Sequence, residues 1–214
     1  MKINAKKYDI IAREVFAPVY PLIAVQIISR TGVIRGTCLD IGCGSGYIGA
    51  ALAGKTDLFI RFFDESSDML EIARQTITEN GLAGRADVLR GDVTAIPLPG
   101  DTIDLAVSRG SVFFWDDLVR SLSEIHRVLA PGGWAYIGGG FGSRALTKSI
   151  IAQMAERNRG SGKFGDKVRR NLGTETRGRF ESALQTAGIE KASILHDEEI
   201  GLWMVIHKAN SNPA

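Results

Sequence analysis

One segment limits this chain more than any other: Cys38-Leu39-Asp40-Ile41-Gly42-Cys43-Gly44-Ser45-Gly46-Tyr47-Ile48-Gly49. An apolar run that reads as a buried strand gives way to alternating glycines, and a helix-compatible stretch follows. Glycine lets the backbone turn sharply and leaves space for a ligand at van der Waals distance. The helix N-terminus beyond offers unpaired N–H groups to an anion. A strand–loop–helix unit of this kind belongs to an α/β sheet with a ligand at the carboxyl ends of its strands.

The rest of the chain repeats the alternation. Buried strands are expected at Thr37–Ile41, Leu58–Phe63, Asp87–Arg90, Ile103–Ser108 and Trp134–Gly138, mostly short apolar runs of the kind covered on both faces. After the second, Ser66 or Ser67 suits an N-cap, and Leu70, Ala73 and Ile77 share one helical face up to Asn80-Gly81. Another helix is expected to carry Leu118, Leu122, Ile125 and Leu129 on one stripe until Pro131-Gly132-Gly133 stops it. Near the C-terminus Ala192–His196 and Leu202–Lys208 are strand-like with only a short polar link, which predicts an antiparallel hairpin. The expected architecture is a three-layer α/β/α sandwich with a mostly parallel sheet. At 214 residues the chain suits one domain. Within it, 1–35 reads as an N-terminal helical segment, 36–140 as the core, and 141–208 as further helices and the hairpin.

Composition excludes several classes. With 44% hydrophobic and 23% charged residues the chain is globular rather than disordered. A net charge of +2 gives no general case for nucleic-acid binding. Two cysteines make no disulfide framework, and a reduced, cytoplasmic setting is expected. The apolar stretch 15–28 is too short to span a bilayer as a helix and lacks a signal-cleavage pattern, so it is expected to pack on the domain, with Pro18 and Pro21 shaping its start. His126, His196 and His207 are scattered, without metal-ligand spacing, and no metal is expected.

Gly44-x-Gly46-x-x-Gly49 satisfies a dinucleotide-binding pattern that holds pyrophosphate, so a nicotinamide oxidoreductase is one reading. Asp40 argues against it. A carboxylate at the strand end opposes a dianion and favours a ligand bearing an ammonium or sulfonium. With Asp40, the pattern Asp40-x-Gly42-x-Gly44-x-Gly46 resembles motif I of class I (Rossmann-like) S-adenosylmethionine-dependent methyltransferases, of the small single-domain type 11 kind. The resemblance runs over about residues 36–140 in the right order.

The resemblance implies S-adenosylmethionine as cofactor and assigns residues to it. Asp64, with Glu65 as a neighbouring alternative, would accept from the ribose hydroxyls. Met69 would pack on adenine. Asp92, next to Val93, would accept from the adenine amino group. Ser108 and Arg109 would lie near the methionine part, and Tyr8 in a segment that closes over the cofactor. Leu129-Ala130-Pro131-Gly132-Gly133 matches the turn before the fifth strand.

Methyl transfer from a sulfonium is an in-line displacement with a neutral leaving group, so alignment supplies much of the acceleration. A base is needed only if the nucleophile must lose a proton. No catalytic residue is singled out. The family's histidine near Phe114 is missing here, and Phe113, Phe114 and Trp115 are candidates to wall the acceptor, or else pack beneath the next helix.

Residues 140–180 carry ten Arg or Lys against three acids. They form either a solvated surface or a site for an anionic small molecule or RNA, with few interleaved aromatics to favour RNA. The leading expectation is a methyltransferase acting on a small molecule, as a monomer or homodimer. An RNA methyltransferase, a nicotinamide oxidoreductase and a cofactor-binding protein without catalysis are the alternatives.

Overall fold

The five apolar runs form parallel strands: β1 Arg35–Ile41, β2 Asp57–Asp64, β3 Ala86–Arg90, β4 Ile103–Arg109 and β5 Leu129–Gly139. The hairpin supplies β6 Ala192–Asp197 and β7 Gly201–His207, and β7 runs antiparallel to both β5 and β6. The sheet order is β3-β2-β1-β4-β5-β7-β6. This computed structural model describes residues 4–210.

Side chains alternate across the sheet and feed two cores. On one face Cys38, Ile60, Phe62, Leu105 and Val107 meet α2 (Val19–Thr31) and α3 (Tyr47–Ala53), together with Ala73 of α4 (Ser67–Glu79). On the other, Leu39, Ile41, Phe63, Ala106 and Ile137 meet α5 (Leu118–Val128) and α8 (Thr174–Thr186). Burial on both faces explains why these strands are nearly continuous apolar runs. The apolar N-terminal stretch is α2, whose Val19, Ile23, Ala24 and Ile27 are buried. It meets α1 (Ala5–Glu14) at an 80° bend, and among the described residues no single helix is long and apolar enough to cross a membrane.

Local signals explain most helix ends. Ser66 Oγ accepts from the Met69 N–H at 3.3 Å, and α4 ends at Asn80 before Gly81 (φ +64°). The α5 expectation needs correction at its end. Leu118, Leu122 and Ile125 line its buried face, but the helix stops at Val128, and Leu129 is already the first residue of β5. Pro131-Gly132-Gly133 lie inside β5, at an irregularity where the register with β4 shifts. Tertiary pairing of Leu129 with Ile103 wins over the helical period. The same helix pins the chain leaving β3. Glu124 accepts from the Ile96 N–H at 2.9 Å, and Arg127 donates to the Ile96 and Leu98 carbonyls at 2.9 Å each.

The basic region forms α6 (Arg144–Arg157), α7 (Lys163–Asn171) and α8. Four of its cations are in ion pairs: Arg144 with Glu198, Arg157 with Glu14, Arg169 with Asp166 and Arg177 with Glu181.

The last glycine of the opening loop has a packing role. A Cβ on Gly49 would fall 2.4 Å from the Phe62 ring and 2.7 Å from Ile60, so α3 rests on β2 without room for a methyl group. Gly49 is helical, so the cost of a side chain there is overpacking rather than backbone strain. Gly49→Ala is expected to destabilise the protein by about 1–3 kcal/mol. Urea unfolding measures this, and an unchanged midpoint would refute the contact.

Candidate functional site

The loop after β1 is built by glycines that adopt left-handed backbone: φ is +61° at Gly42, +54° at Gly44 and +82° at Gly46. Two carboxylates hold it. Asp40 Oδ2 accepts from the Gly49 N–H at 3.0 Å in the first turn of α3. Asp64, at the end of β2, accepts from the Gly44 N–H at 3.0 Å and the Ser66 N–H at 2.9 Å. Asp64 thus ties the glycine loop to the start of α4. The Ser45 hydroxyl is buried in the loop without a hydrogen-bond partner.

Beside the loop lies a small, nearly filled cavity of about 20 Å³ whose walls include Tyr8, Tyr20, Asp40, Ser45, Tyr47 and Arg109. Arg109 donates from Nε to the Gly140 carbonyl at 3.0 Å. Its guanidinium carbon lies 5.5, 5.7 and 5.2 Å from the ring centres of Phe16, Tyr20 and Phe141. Cation–π attraction of this kind orients a guanidinium without neutralising it. Asp40 is 2% exposed. Burial pushes its pKa up to about 7, against the opposing Gly49 N–H, and the nearby Asp64 adds to the rise. Asp64 is raised as well, chiefly by burial.

Helix α1 lies over this site. The Tyr8 ring comes within 3.3 Å of where a Gly44 Cβ would sit. Burial raises the Tyr8 pKa, and the positive Arg109 opposes the rise. Tyr47 donates to Asp9 at 2.6 Å, and Arg13 bridges Asp9 and Glu79 at 3.0 Å each. Ala5 shares a small apolar cluster with Met69 and Ile72, against which Tyr8 packs.

The residues expected from sequence therefore divide. Tyr8, Asp40, Gly42 and Arg109 line one cavity, and Gly44, Gly46 and Asp64 shape its loop. Ser108 is buried, with its hydroxyl 2.6 Å from that of Ser111, which also donates to the Ile41 carbonyl. Met69 is buried beneath α1. Asp92 is exposed and turns its loop by accepting from the Thr94 N–H and hydroxyl at 2.7 and 2.8 Å. Val93 packs on the α5-side core, and Glu65 is exposed. Phe113 and Trp115 pack into that same core, Phe113 stacking on Phe180 at 6.3 Å, whereas Phe114 is 57% exposed. His196 contacts the Leu172 carbonyl and His207 stacks on Trp134. Sequence reasoning missed Ser45, Tyr20 and Tyr47. Ser45 lies inside the motif and could have been read from it. Tyr20 and Tyr47 reach the cavity through packing that no spacing encodes.

Comparison with known proteins places the chain in a family. A family model described as a methyltransferase domain matches residues 39–137. A crystal structure of a proposed S-adenosyl-L-methionine-dependent methyltransferase from Methanococcus maripaludis is 40% identical, with 100% of both chains covered and a TM-score of 0.92. The chain belongs to the S-adenosylmethionine-dependent methyltransferases. Among curated relatives, this methyltransferase is 36% identical over 98 residues to a 2-methyl-6-phytyl-1,4-hydroquinone methyltransferase of Oryza sativa, covering 45% of this chain and 28% of the relative. It is 30% identical over 133 residues to a ubiquinone/menaquinone biosynthesis C-methyltransferase of a Marinomonas species, covering 60% and 53%. An uncharacterised methyltransferase of Bacillus subtilis is 30% identical over 112 residues, covering 51% and 60%. The methyltransferase thus spans less than two thirds of the length of each of these curated relatives.

The donor set fits the cofactor of this family. One buried carboxylate, one guanidinium without an acidic partner among the described residues, and one orphaned hydroxyl share the cavity. An amino-acid zwitterion matches them group for group, whereas a pyrophosphate would face Asp40 and Asp64.

Asp40 sets a pH dependence. Its folded pKa of about 7 lies above the ordinary carboxylate value of 3.8, so the stability that its protonated form retains at low pH is lost as pH rises from the unfolded to the folded value. Asp40→Asn keeps an acceptor for Gly49. It is expected to raise the melting temperature of the ligand-free protein, with the gain growing from about pH 4 to about pH 7 and level above. Thermal unfolding of both proteins across that range measures it. A gain independent of pH would contradict the assignment.

Proposed function

We propose that this protein transfers the methyl group of S-adenosylmethionine to a small-molecule acceptor at the carboxyl end of β4. The observation that carries the reading is the placement of Asp40 and Arg109 in one cavity beside the glycine loop. When bound, the cofactor supplies an electrophilic methyl on a sulfonium. In this reading Asp40 holds the ammonium, and Arg109 and the Ser45 hydroxyl hold the carboxylate. Asp64 accepts from the ribose hydroxyls with lone pairs left over from its two backbone contacts. Met69 and Val93 flank adenine, and the free oxygen of Asp92 accepts from its amino group. Tyr8 closes the cavity from α1 and excludes water. The protein's part is to fix the methyl and the acceptor in line.

The acceptor side is formed by the turn after β4 and by the helices of 141–208. The named activities of the quinone-pathway relatives support a small acceptor with a planar part. An oxidoreductase reading loses its support, since the same glycine pattern is accounted for by the family.

Calorimetry with S-adenosylhomocysteine and 5′-methylthioadenosine, which lacks the amino-acid end, tests the assignment. Arg109→Ala is expected to weaken the first at least about tenfold, near 1.4 kcal/mol, and leave the second unchanged. Equal losses for both ligands would show that Arg109 does not read the carboxylate. S-adenosylmethionine affinity is expected to rise as pH increases through about 7, because Asp40 must be ionised to hold a cation. That rise disappears in Asp40→Asn. A flat profile in the native protein would remove the ion pair. Transfer of labelled methyl to a cell-extract metabolite tests the activity itself.

A further inference from the structure

Helix α7 carries two distinct faces. Phe164 and Val168 turn inward, with Phe164 stacked on Phe16 at 6.1 Å and edge-on to Phe141 at 6.3 Å, the rings that enclose Arg109. Next to that face Lys163, Lys167 and Arg170 follow each other at helical spacing, so they form one cationic stripe. The helix has one acid, Asp166, which is engaged by Arg169. Among the described residues no carboxylate pairs with the three cations of the stripe, unlike Arg144, Arg157 and Arg177 in the neighbouring helices.

The stripe meets the most exposed large apolar side chain of the described residues. Lys167 Nζ lies 4.4 Å from the centre of the Phe114 ring. Phe114 ends the short 3-10 turn Val112–Phe114 that follows β4. Its neighbours Phe113 and Trp115 pack into the core, so its own exposure is a matter of direction and not of a loose loop. An apolar ring held out at the carboxyl end of β4, with an ammonium lacking a carboxylate partner above it, is suited to a ligand with a flat face and a negative charge. Partial burial and then the adjacent Arg170 hold the Lys167 pKa below its usual value, as expected for a cation short of a counter-ion.

We propose that Phe114 and the Lys163–Lys167–Arg170 stripe form the acceptor-recognition subsite, and that the acceptor is a small planar molecule bearing a carboxylate or phosphate. The assignment rests on the methyl-transfer reading for its meaning but not for its test. The planar part lies on Phe114 in place of, or beside, the Lys167 ammonium, and the anion pairs with Lys167 and Arg170. Arg109, at the end of β4 and enclosed by the Phe16 and Phe141 rings on which Phe164 packs, is reserved for the cofactor. The stripe therefore separates the charge of the acceptor from the charge of the cofactor.

The test uses the full chain saturated with S-adenosylhomocysteine. Benzoate, phenyl phosphate, inorganic phosphate, benzyl alcohol and a short single-stranded RNA are titrated by ligand-observed NMR and calorimetry. Phenyl phosphate is expected to bind at least about tenfold more tightly than benzyl alcohol. Lys167→Glu is expected to remove that preference, Lys167→Gln to reduce it, and Phe114→Ala to weaken phenyl phosphate without weakening inorganic phosphate. S-adenosylhomocysteine affinity stays the same in all three variants, which also shows that they are folded. Equal binding of the anionic and neutral aromatic probes, or an anion preference that survives Lys167→Glu, overturns the proposal. RNA binding tighter than phenyl phosphate and lost with the same substitutions overturns the small-molecule assignment. Loss of S-adenosylhomocysteine binding by the native protein would instead count against the methyltransferase reading, leaving the subsite result separate.

Discussion

A single buried carboxylate organises this site. Asp40 closes β1, accepts from the first turn of α3, and faces the cavity, all from a position almost without solvent. Removing a carboxylate from water costs more than one backbone hydrogen bond returns, and its raised pKa expresses that imbalance. The imbalance is tolerable because a cationic ligand would reverse it. The energy that the fold gives up at Asp40 is thereby available as selectivity for positive charge. Asp64 works differently. Its oxygens are already engaged by Gly44 and Ser66, so it first builds the loop and then has capacity left for hydroxyl groups.

Charge is distributed over the site in a consistent order. Asp40 and Asp64 stand at the ends of β1 and β2, Arg109 at the end of β4, and the α7 cations beyond it. Aromatic rings lie between these cationic zones. Phe16, Tyr20 and Phe141 surround Arg109, while Phe164 joins them to α7. Such rings keep like charges apart while offering each a favourable face. The cationic zones stay distinct, one in an enclosed cavity and one open at the surface.

The legible part of the molecule was the part governed by local rules. Alternating apolar runs gave the five parallel strands and the hairpin, and the glycine loop with Asp40 and Asp64 pointed to residues that the fold gathers at the carboxyl ends of β1 and β2. The ends of elements were less legible where pairing overrides period, as at Leu129, which continues a helical stripe in sequence yet pairs with Ile103 in the sheet. The aromatic residues after β4 illustrate the other limit. Phe113, Phe114 and Trp115 look equivalent in sequence, and only the geometry of the 3-10 turn sends two inward and one out. Tyr20 and Tyr47 carried no signal because their role arises from where α2 and α3 cross the loop. Phe16 and Phe141 gained theirs only when distant segments enclosed Arg109.

The position of β7 bears on how the domain is made. It lies between β5 and β6, hydrogen-bonded to both, and its Leu202, Trp203, Met204 and Ile206 are fully buried, shared between the two cores. Neither β6 nor the outer edge of β5 has its sheet partner until this strand has been synthesised and has inserted. The half of the sheet that carries the glycine loop, β3-β2-β1-β4, has its neighbours much earlier in synthesis. A chain synthesised only as far as β5 would have the strands that support the glycine loop while β5 presents an open apolar edge. That interval is the one in which the molecule is most exposed to wrong pairing with its own kind.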